Sequence, residues 1–387
     1  MGVETMGTGK IPGFESFSII YDRRQQSKIR HKLIDILFIT MSAIVAHCND
    51  FEEIVVFAET NEEWYKKYIE LPNGIPSIDT FRRTMRSIDI EQLQKCFAEW
   101  ARDLAAMRER GIVSIDGKTA RGAKDAQPTS AVHLVSAWMD ADGLSLGQVK
   151  TDEKSNEITA IPELLELLSI RDTIVTIDAM GTQKNIALQI VDKNHADYVL
   201  ALKGNHEIPY NDVASYFPSL AKEDYDSDFL QTITYTDTGH GRIERREYTL
   251  STDISWVSWA KDWIGLKSVG MVKSNVTDKK SGRSTSDVRF FIASIDSIKD
   301  FSRAVREHWA IESVHWTLDV VFREDSSRIR KDNEPFNLAL VRKLAVSILK
   351  KEKLLTQKPK SYNVMRFRAS LNSDYLEKVL FDNLKID

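Results

Sequence analysis

At Gly111 the hydrophobic period of the chain changes, and that change limits what it can fold into. Upstream, from Arg23 to about Arg110, apolar residues recur at helical spacing; Leu33, Ile36, Leu37, Met41, Ile44 and Val45 form one such face. Ser77, after the turn Leu-Pro-Asn-Gly-Ile-Pro, is placed to cap a helix through Phe81, Met85 and Ile88, and another helix covers Ile90 to Met107. Downstream, GIVSID, AVHLVSAWM and LSLGQVKTD read as three strands, the last two joined by an Ala-Asp-Gly turn. A helix over 156–168, a strand over 173–178, a helix over 183–194 and a strand over 197–202 follow.

Three strands and then helix, strand, helix, strand is the element order of a ribonuclease-H-like α/β fold. It predicts a mixed five-stranded sheet whose later strands are parallel, with helices on both faces. The chain then divides into a loose polar leader (1–20), a helical N-terminal domain (21–110), the first part of a catalytic core (111–206), a β-rich insertion (207–300), a closing helix of the core (301–335) and a basic helical tail (336–387). The N-terminal helices could form a helix-turn-helix with SIDTFRRTMRS as its second helix; a packed bundle with solvated arginines fits equally well.

Lys and Arg number 53 against 57 acids, a net charge of −4, which excludes a globally basic coat but not local basic patches. The longest apolar stretch, Leu33 to Ala46, is too short for a membrane span and contains Asp35, so a core helix is expected and no membrane partner. The start of the chain has no apolar signal segment, so the expectation is a cytoplasmic, nucleoid-associated product. Two cysteines, Cys48 and Cys96, exclude a disulfide scaffold and read as buried packing.

Two aspartates end apolar strands in matching contexts, Asp116 in VSIDGKT and Asp178 in VTIDAMGTQ. A buried carboxylate is costly unless compensated, and a divalent cation at the carboxyl end of a strand is one compensation; capping of the next loop is the other. His308, Glu312, His315 and Asp319 follow at i, i+4, i+7 and i+11, one helical face, with Trp309 and Trp316 beside it. That stripe fits catalytic acids, inter-helix ion pairs, or a zinc site from His308, Glu312 and His315, although the HExxH spacing is absent.

The motifs IDGKTARG (115–122), HLVSAW (133–138), KSNEITAIPELL (154–165), TIDAMGTQ (176–183), ADYVLALKGN (196–205), HGRIERR (240–246) and REHWAIESVHWTLDVVFRED (306–325) run in order through the chain. Together they make it resemble the H-repeat-associated transposases of bacterial insertion sequences, a branch of the DDE cut-and-paste superfamily. The resemblance implies Asp116, Asp178 and Glu312 as catalytic, metal-binding acids, with Asp319 the runner-up third acid and Glu324 and Glu157 further alternatives. It implies two Mg²⁺ ions, with Mn²⁺ able to substitute, and DNA as partner, both terminal inverted repeats and target. A homodimer or higher synaptic complex is implied by analogy. Relatives in the wider superfamily carry Tyr, Arg and Lys where this chain has Val305, His308 and Asp319. Two other readings share these acids: a non-cleaving, domesticated DNA-binding protein, and a metal-dependent nuclease without strand transfer.

For such a function the candidate DNA contacts are Lys118, Arg121 and Lys203 near the acids, His240, Arg242, Arg245 and Arg246 in the insertion, and His308 and His315 on the closing helix. Arg342 to Arg368 holds nine basic residues against one acid, Glu352, and adds Arg342, Lys350, Lys351 and Lys353. Arg23 to Lys32 and Lys267 to Arg289 are further clusters. Trp256, Trp259 and Trp263 read as core.

Overall fold

The computed structural model describes residues 14–104, 110–120, 132–139, 144–151, 157–221, 224, 227–239 and 241–381. The N-terminal helices are α1 (Leu33–Val45), α2 (Phe51–Thr60), α3 (Glu62–Tyr65), α4 (Ile78–Ser87) and α5 (Ile90–Leu104). Next come β1 (Ile112–Ala120), β2 (Val132–Met139), β3 (Leu144–Thr151), α6 (Glu157–Leu167), β4 (Ile174–Ile177), α7 (Lys184–Leu188) and β5 (Asp197–Leu202). A helix α8 (Glu207–Ser219) leads into β6 (Leu230–Gly239), β7 (Arg242–Ser251), β8 (Ser268–Asp278) and β9 (Ser284–Ala293). The chain closes with α9 (Ile298–Trp316), α10 (Glu334–Leu355), α11 (Tyr362–Leu371) and α12 (Ser373–Phe381).

The fold is mixed α/β, with one nine-stranded sheet in the order β3-β2-β1-β4-β5-β9-β8-β7-β6. The expected five strands are its first five positions; the insertion does not stand apart but continues the sheet, because β9 pairs antiparallel with β5 through Val199↔Ala293 to Leu202↔Phe290. That pairing gives the apolar outer edge of β5 a partner, which an isolated five-stranded sheet would leave open. By compactness the chain divides into two units, one of Met1–Arg108, Gly117–Lys154 and Glu312–Asp387, the other of Glu109–Asp116 and Ser155–Ile311.

In the first unit, α1 is apolar on all sides and wholly interior, with Ile36, Phe38, Ile39 and Ala43 inaccessible to solvent. Asp50 and Ser77 cap α2 and α4 by accepting hydrogen bonds from the Glu53 and Thr80 amides. Two expectations fail here. Residues 14–20 are not a loose leader: Phe14, Phe17 and Ile20 are buried, and Phe14 packs edge-on against Phe38. Nor is α10 a solvated basic helix, since sixteen of its 22 residues are buried, Arg342 and Lys343 among them. It is apolar enough all round to be a core helix, and its charges find partners inside: Arg342 donates to the Asn49 carbonyl at 3.1 Å, and Lys343 to Ser136 Oγ and Gln148 Oε1. Arg366 of α11 is equally buried, donating to the Ile44 and Cys48 carbonyls with its guanidinium over the Phe322 ring. Cys48 and Cys96 are buried and free, as expected.

In the second unit, β1, β4 and β5 run parallel, in register Ile112↔Ile174↔Asp197 through Ile115↔Ile177↔Leu200. Strands β6 to β9 form an antiparallel meander. Helix α8 lies where only β structure was expected; its prolines, Pro209 and Pro218, sit in the first turn and at the end, where a missing N–H costs little. Helix α9 lies on the sheet, with Phe301, Ala304 and Val305 against Ile112, Ile174, Val199, Tyr248 and Phe291. Gly270 makes this possible: a Cβ there would fall 2.3 Å from the Phe301 ring. Trp259 and Trp263 are core and Trp256 stacks on Tyr216, so this trio packs as expected.

Candidate active site

Asp116 and Asp178 arise from the register of two neighbouring parallel strands. Ile115 pairs with Ile177, so the aspartates are the next residue on each strand, roughly 5 Å apart along the hydrogen-bonding direction. Strand β4 ends at Ile177, so Asp178 lies just past its strand, whereas β1 continues to Ala120 and Asp116 lies inside it. Side chains alternate, so Asp116 shares a face with Ser114 and Asp178 with Thr176. This is the face that Ile112 and Ile174 turn toward α9. Both aspartates are half-buried. Asp178 Oδ1 accepts from the Met180 and Gly181 amides at 3.0 and 3.3 Å, which fixes the carboxylate.

His308 of α9 reaches the same face. Its Nδ1 is 3.0 Å from Thr176 Oγ1, which in turn donates to Ser114 Oγ at 3.2 Å. Burial pushes the imidazole down to about 4; Asp178 opposes this while Arg289 and Lys203 assist it. His308 is therefore neutral at pH 7, a hydrogen-bonding group and not a cation. Ser114 and Thr176 were missed from sequence, although the repeated pattern Val-Ser-Ile-Asp and Val-Thr-Ile-Asp carries the signal. Lys203, exposed just past β5, stands at the carboxyl end of the strand next to Asp178.

Beyond these acids, two guanidiniums lie over one indole: Arg246 of β7 and Arg289 of β9 are 4.4 and 5.0 Å from the Trp309 ring centroid. Each also pairs with an acid two residues earlier on its strand, Glu244 and Asp287. Arg242 and Arg245 are exposed. Arg121 and His240 lie outside the described residues.

The first unit holds the remaining candidates. Glu312 is exposed, one turn past His308 along α9. Regular α-helix stops at Trp316, and Thr317–Val321 form a π turn closed by Phe322 N–H to Thr317 O. The extra residue in that turn breaks the even stripe at Asp319. Asp319 instead pairs with Lys118, whose ammonium also contacts the buried Glu324 at 2.6 Å. Burial would lower Lys118, but Glu324 and Asp319 outweigh it and hold the amine protonated. Lys118 and the runner-up acid Asp319 are thus committed to each other. Burial, with Lys343 and Lys118 close by, pushes His315 down to about 4. Lys350, Lys351 and Lys353 are partly buried, Lys353 over the Tyr362 ring, while Arg342 is interior and out of reach of a phosphate.

Among the described residues no three His, Cys, Asp or Glu side chains are grouped as a metal site, and the zinc set of His308, Glu312 and His315 is not assembled. Two adjacent carboxylates on one face still suit Mg²⁺, which takes one or two carboxylates and keeps positions for water and phosphate.

Comparison with known proteins gives the family of the chain. Residues 107–348 match the family model "Transposase DDE domain", and residues 14–101 match the model "DDE_Tnp_1-associated". The chain belongs to the DDE-domain transposase family. Within it, the chain is 41% identical over 369 residues to Putative transposase YncI of Escherichia coli O157:H7, covering 94% of this chain and 93% of that one. It is 36% identical to H repeat-associated putative transposase YhhI of Escherichia coli strain K12, covering 95% and 97%. Inactive transposase YbfQ of the same strain matches 18% of this chain at 41% identity. A solved piggyBac transposase synaptic complex with hairpin DNA aligns with 92% of this chain and 75% of its own, at 10% identity and a TM-score of 0.40. The resemblance carried by the seven sequence motifs is thereby shown.

Proposed function

We propose that this chain is an active transposase with a ribonuclease-H-like core, cutting the ends of an insertion sequence and joining them to target DNA. The observation that carries the reading is the pair Asp116 and Asp178, adjacent on parallel strands and on the face that α9 covers. Glu312, one turn past His308 on α9, is taken as the third acid because the family resemblance implies it. Asp319 is the weaker choice, since its charge is spent on Lys118.

Asp116, Asp178 and Glu312 would hold two Mg²⁺ ions, with Mn²⁺ as substitute. When bound, the ions supply a nucleophile of lowered pKa and stabilise charge on the leaving oxygen. The protein's own groups then do the positioning. The amides of Met180 and Gly181 hold the Asp178 carboxylate in one orientation. Neutral His308, tied to Thr176, keeps a competing positive charge out of the site. Lys203 at the strand end, and Arg242 and Arg245 on the meander, are the cations available for phosphates of the bound strand. A dimer or larger synaptic assembly follows from the need to handle two ends together, and the cytoplasm is its setting. No helix of the described residues is long and apolar enough to cross a membrane.

The test is Mg²⁺-dependent nicking of DNA carrying the element's terminal repeats. Wild type and Asp319→Asn should cut one strand at the repeat end; Asp178→Asn and Glu312→Gln should not. Binding without cutting by wild type would instead support the domesticated DNA-binding protein. Cutting without joining of pre-cleaved ends would support the nuclease.

A further inference from the structure

We infer that a cleft in the first unit is a second DNA surface that grips the phosphate backbone of a duplex. The inference rests on the transposase reading and adds the place where duplex is held. The cleft, about 930 Å³, is bounded by the first turn of α2, by α4 and by the segment from Arg323 to Glu334 that follows the π turn. Six cations and four acids line it. The balance is more positive in effect than that count suggests. Asp50 is spent capping α2, Glu53 accepts from the Asn49 amide at 2.6 Å, and Glu334 pairs with Arg86 at 2.6 Å. Asp50 and Glu53 also sit at the positive end of α2, which offsets them.

On the other side, Arg82, Arg323, Arg328 and Lys331 make no ion pair among the described residues. Four such cations lining one cleft, against the exposed Glu52, leave a positive balance that attracts a polyanion. A small metabolite is a poor fit, because such sites are mostly apolar and Phe51 and Ile329 are the only apolar side chains among the residues lining this cleft. Arg323 and Asp332, near the ends of the segment, both adopt left-handed backbone, φ 51° and 52°. The cleft further answers a question raised by α10 and α11, whose Arg342, Lys343 and Arg366 are buried and cannot serve DNA. Arg82 lies on α4, the helix that would be second in a helix-turn-helix, while Arg328 comes from the C-terminal segment.

The experiment is fluorescence anisotropy of a terminal-repeat duplex with the full chain across a range of salt concentrations. Arg82→Ala/Arg328→Ala should lose at least about tenfold in affinity, and its slope of log K against log salt should fall by about 2. Arg83→Ala is the control, on the same helix but outside the cleft and paired with Asp79, and should bind as wild type. Melting temperature, read alongside, should be unchanged in both variants, since the altered residues are surface cations. Wild-type affinity and slope in the double variant would overturn the cleft as a DNA surface and leave the transposase reading standing. An equal loss in Arg83→Ala would overturn it too, by assigning the effect to net charge. Failure of wild type to bind any duplex would overturn both.

Discussion

Gly270→Ala is the smallest change that should disturb how α9 sits on the sheet. The added Cβ would lie 2.3 and 2.6 Å from two Phe301 ring carbons, about 1 Å short of ordinary van der Waals contact. The ring has little room to yield: Phe301 is fully buried and packed edge-on against Phe291 and Tyr248. The helix must lift, or the strand must bow, by a distance near that 1 Å, at a cost of about 1–3 kcal/mol for overpacking a close-packed core. Since α9 carries His308 and Glu312, a displacement of this size should also slow strand nicking by about 100-fold. Thermal melting and single-turnover nicking measure the two effects. Gly270→Ala/Phe301→Leu, which shortens the opposing side chain, should recover part of both. Wild-type stability and rate in Gly270→Ala would refute the reasoning, because α9 would not then be seated through that glycine.

Three further outcomes follow from buried charge. His308 and His315, held near 4 against an ordinary 6.5, bind protons more readily in the unfolded chain, so their contribution is complete above pH 6.5 and is lost as pH falls toward 4. Unfolding free energies from urea melts at pH 7, 5.5 and 4.5 should fall in that order, by on the order of 5 kcal/mol in all, and His308→Gln should flatten the trend. Lys118→Met removes the ammonium that contacts Asp319 and buried Glu324, and should destabilise by about 3–5 kcal/mol in urea melts; Glu324→Gln in that background should restore much of it. Arg366→Met should lower stability by several kcal/mol (roughly 3–5 for a broken buried polar site) and leave duplex affinity unchanged in anisotropy, since its guanidinium serves the Ile44 and Cys48 carbonyls.

Much of the fold was legible because it is written in local periodicity. The switch at Gly111, the buried strands around Asp116 and Asp178, and the caps Asp50 and Ser77 all depend on neighbours close in sequence. What escaped depends on contacts between distant residues. The pairing of β9 with β5 joins segments about ninety residues apart, and only it turns an insertion into an extension of the sheet. Counting charge along 342–368 could not reveal that Arg342, Lys343 and Arg366 are satisfied by Asn49, Gln148 and Ile44, far away in the chain. The even spacing from His308 to Asp319 assumed an unbroken α-helix, and the π turn at Thr317 removes that assumption. The aspartates stand out in sequence through the repeated Val-Ser-Ile-Asp and Val-Thr-Ile-Asp pattern, but their adjacency comes from the long-range pairing of Ile115 with Ile177.

The central claim is that Asp116 and Asp178 jointly hold the divalent cation that this transposase uses. The most direct measurement is Mn²⁺ binding by electron paramagnetic resonance, with wild type beside Asp116→Asn/Asp178→Asn and with Asp319→Asn as control. The account predicts saturable binding in wild type and in Asp319→Asn, competed by Mg²⁺, and its loss in the double variant at unchanged melting temperature. Undiminished Mn²⁺ binding in the double variant would contradict it.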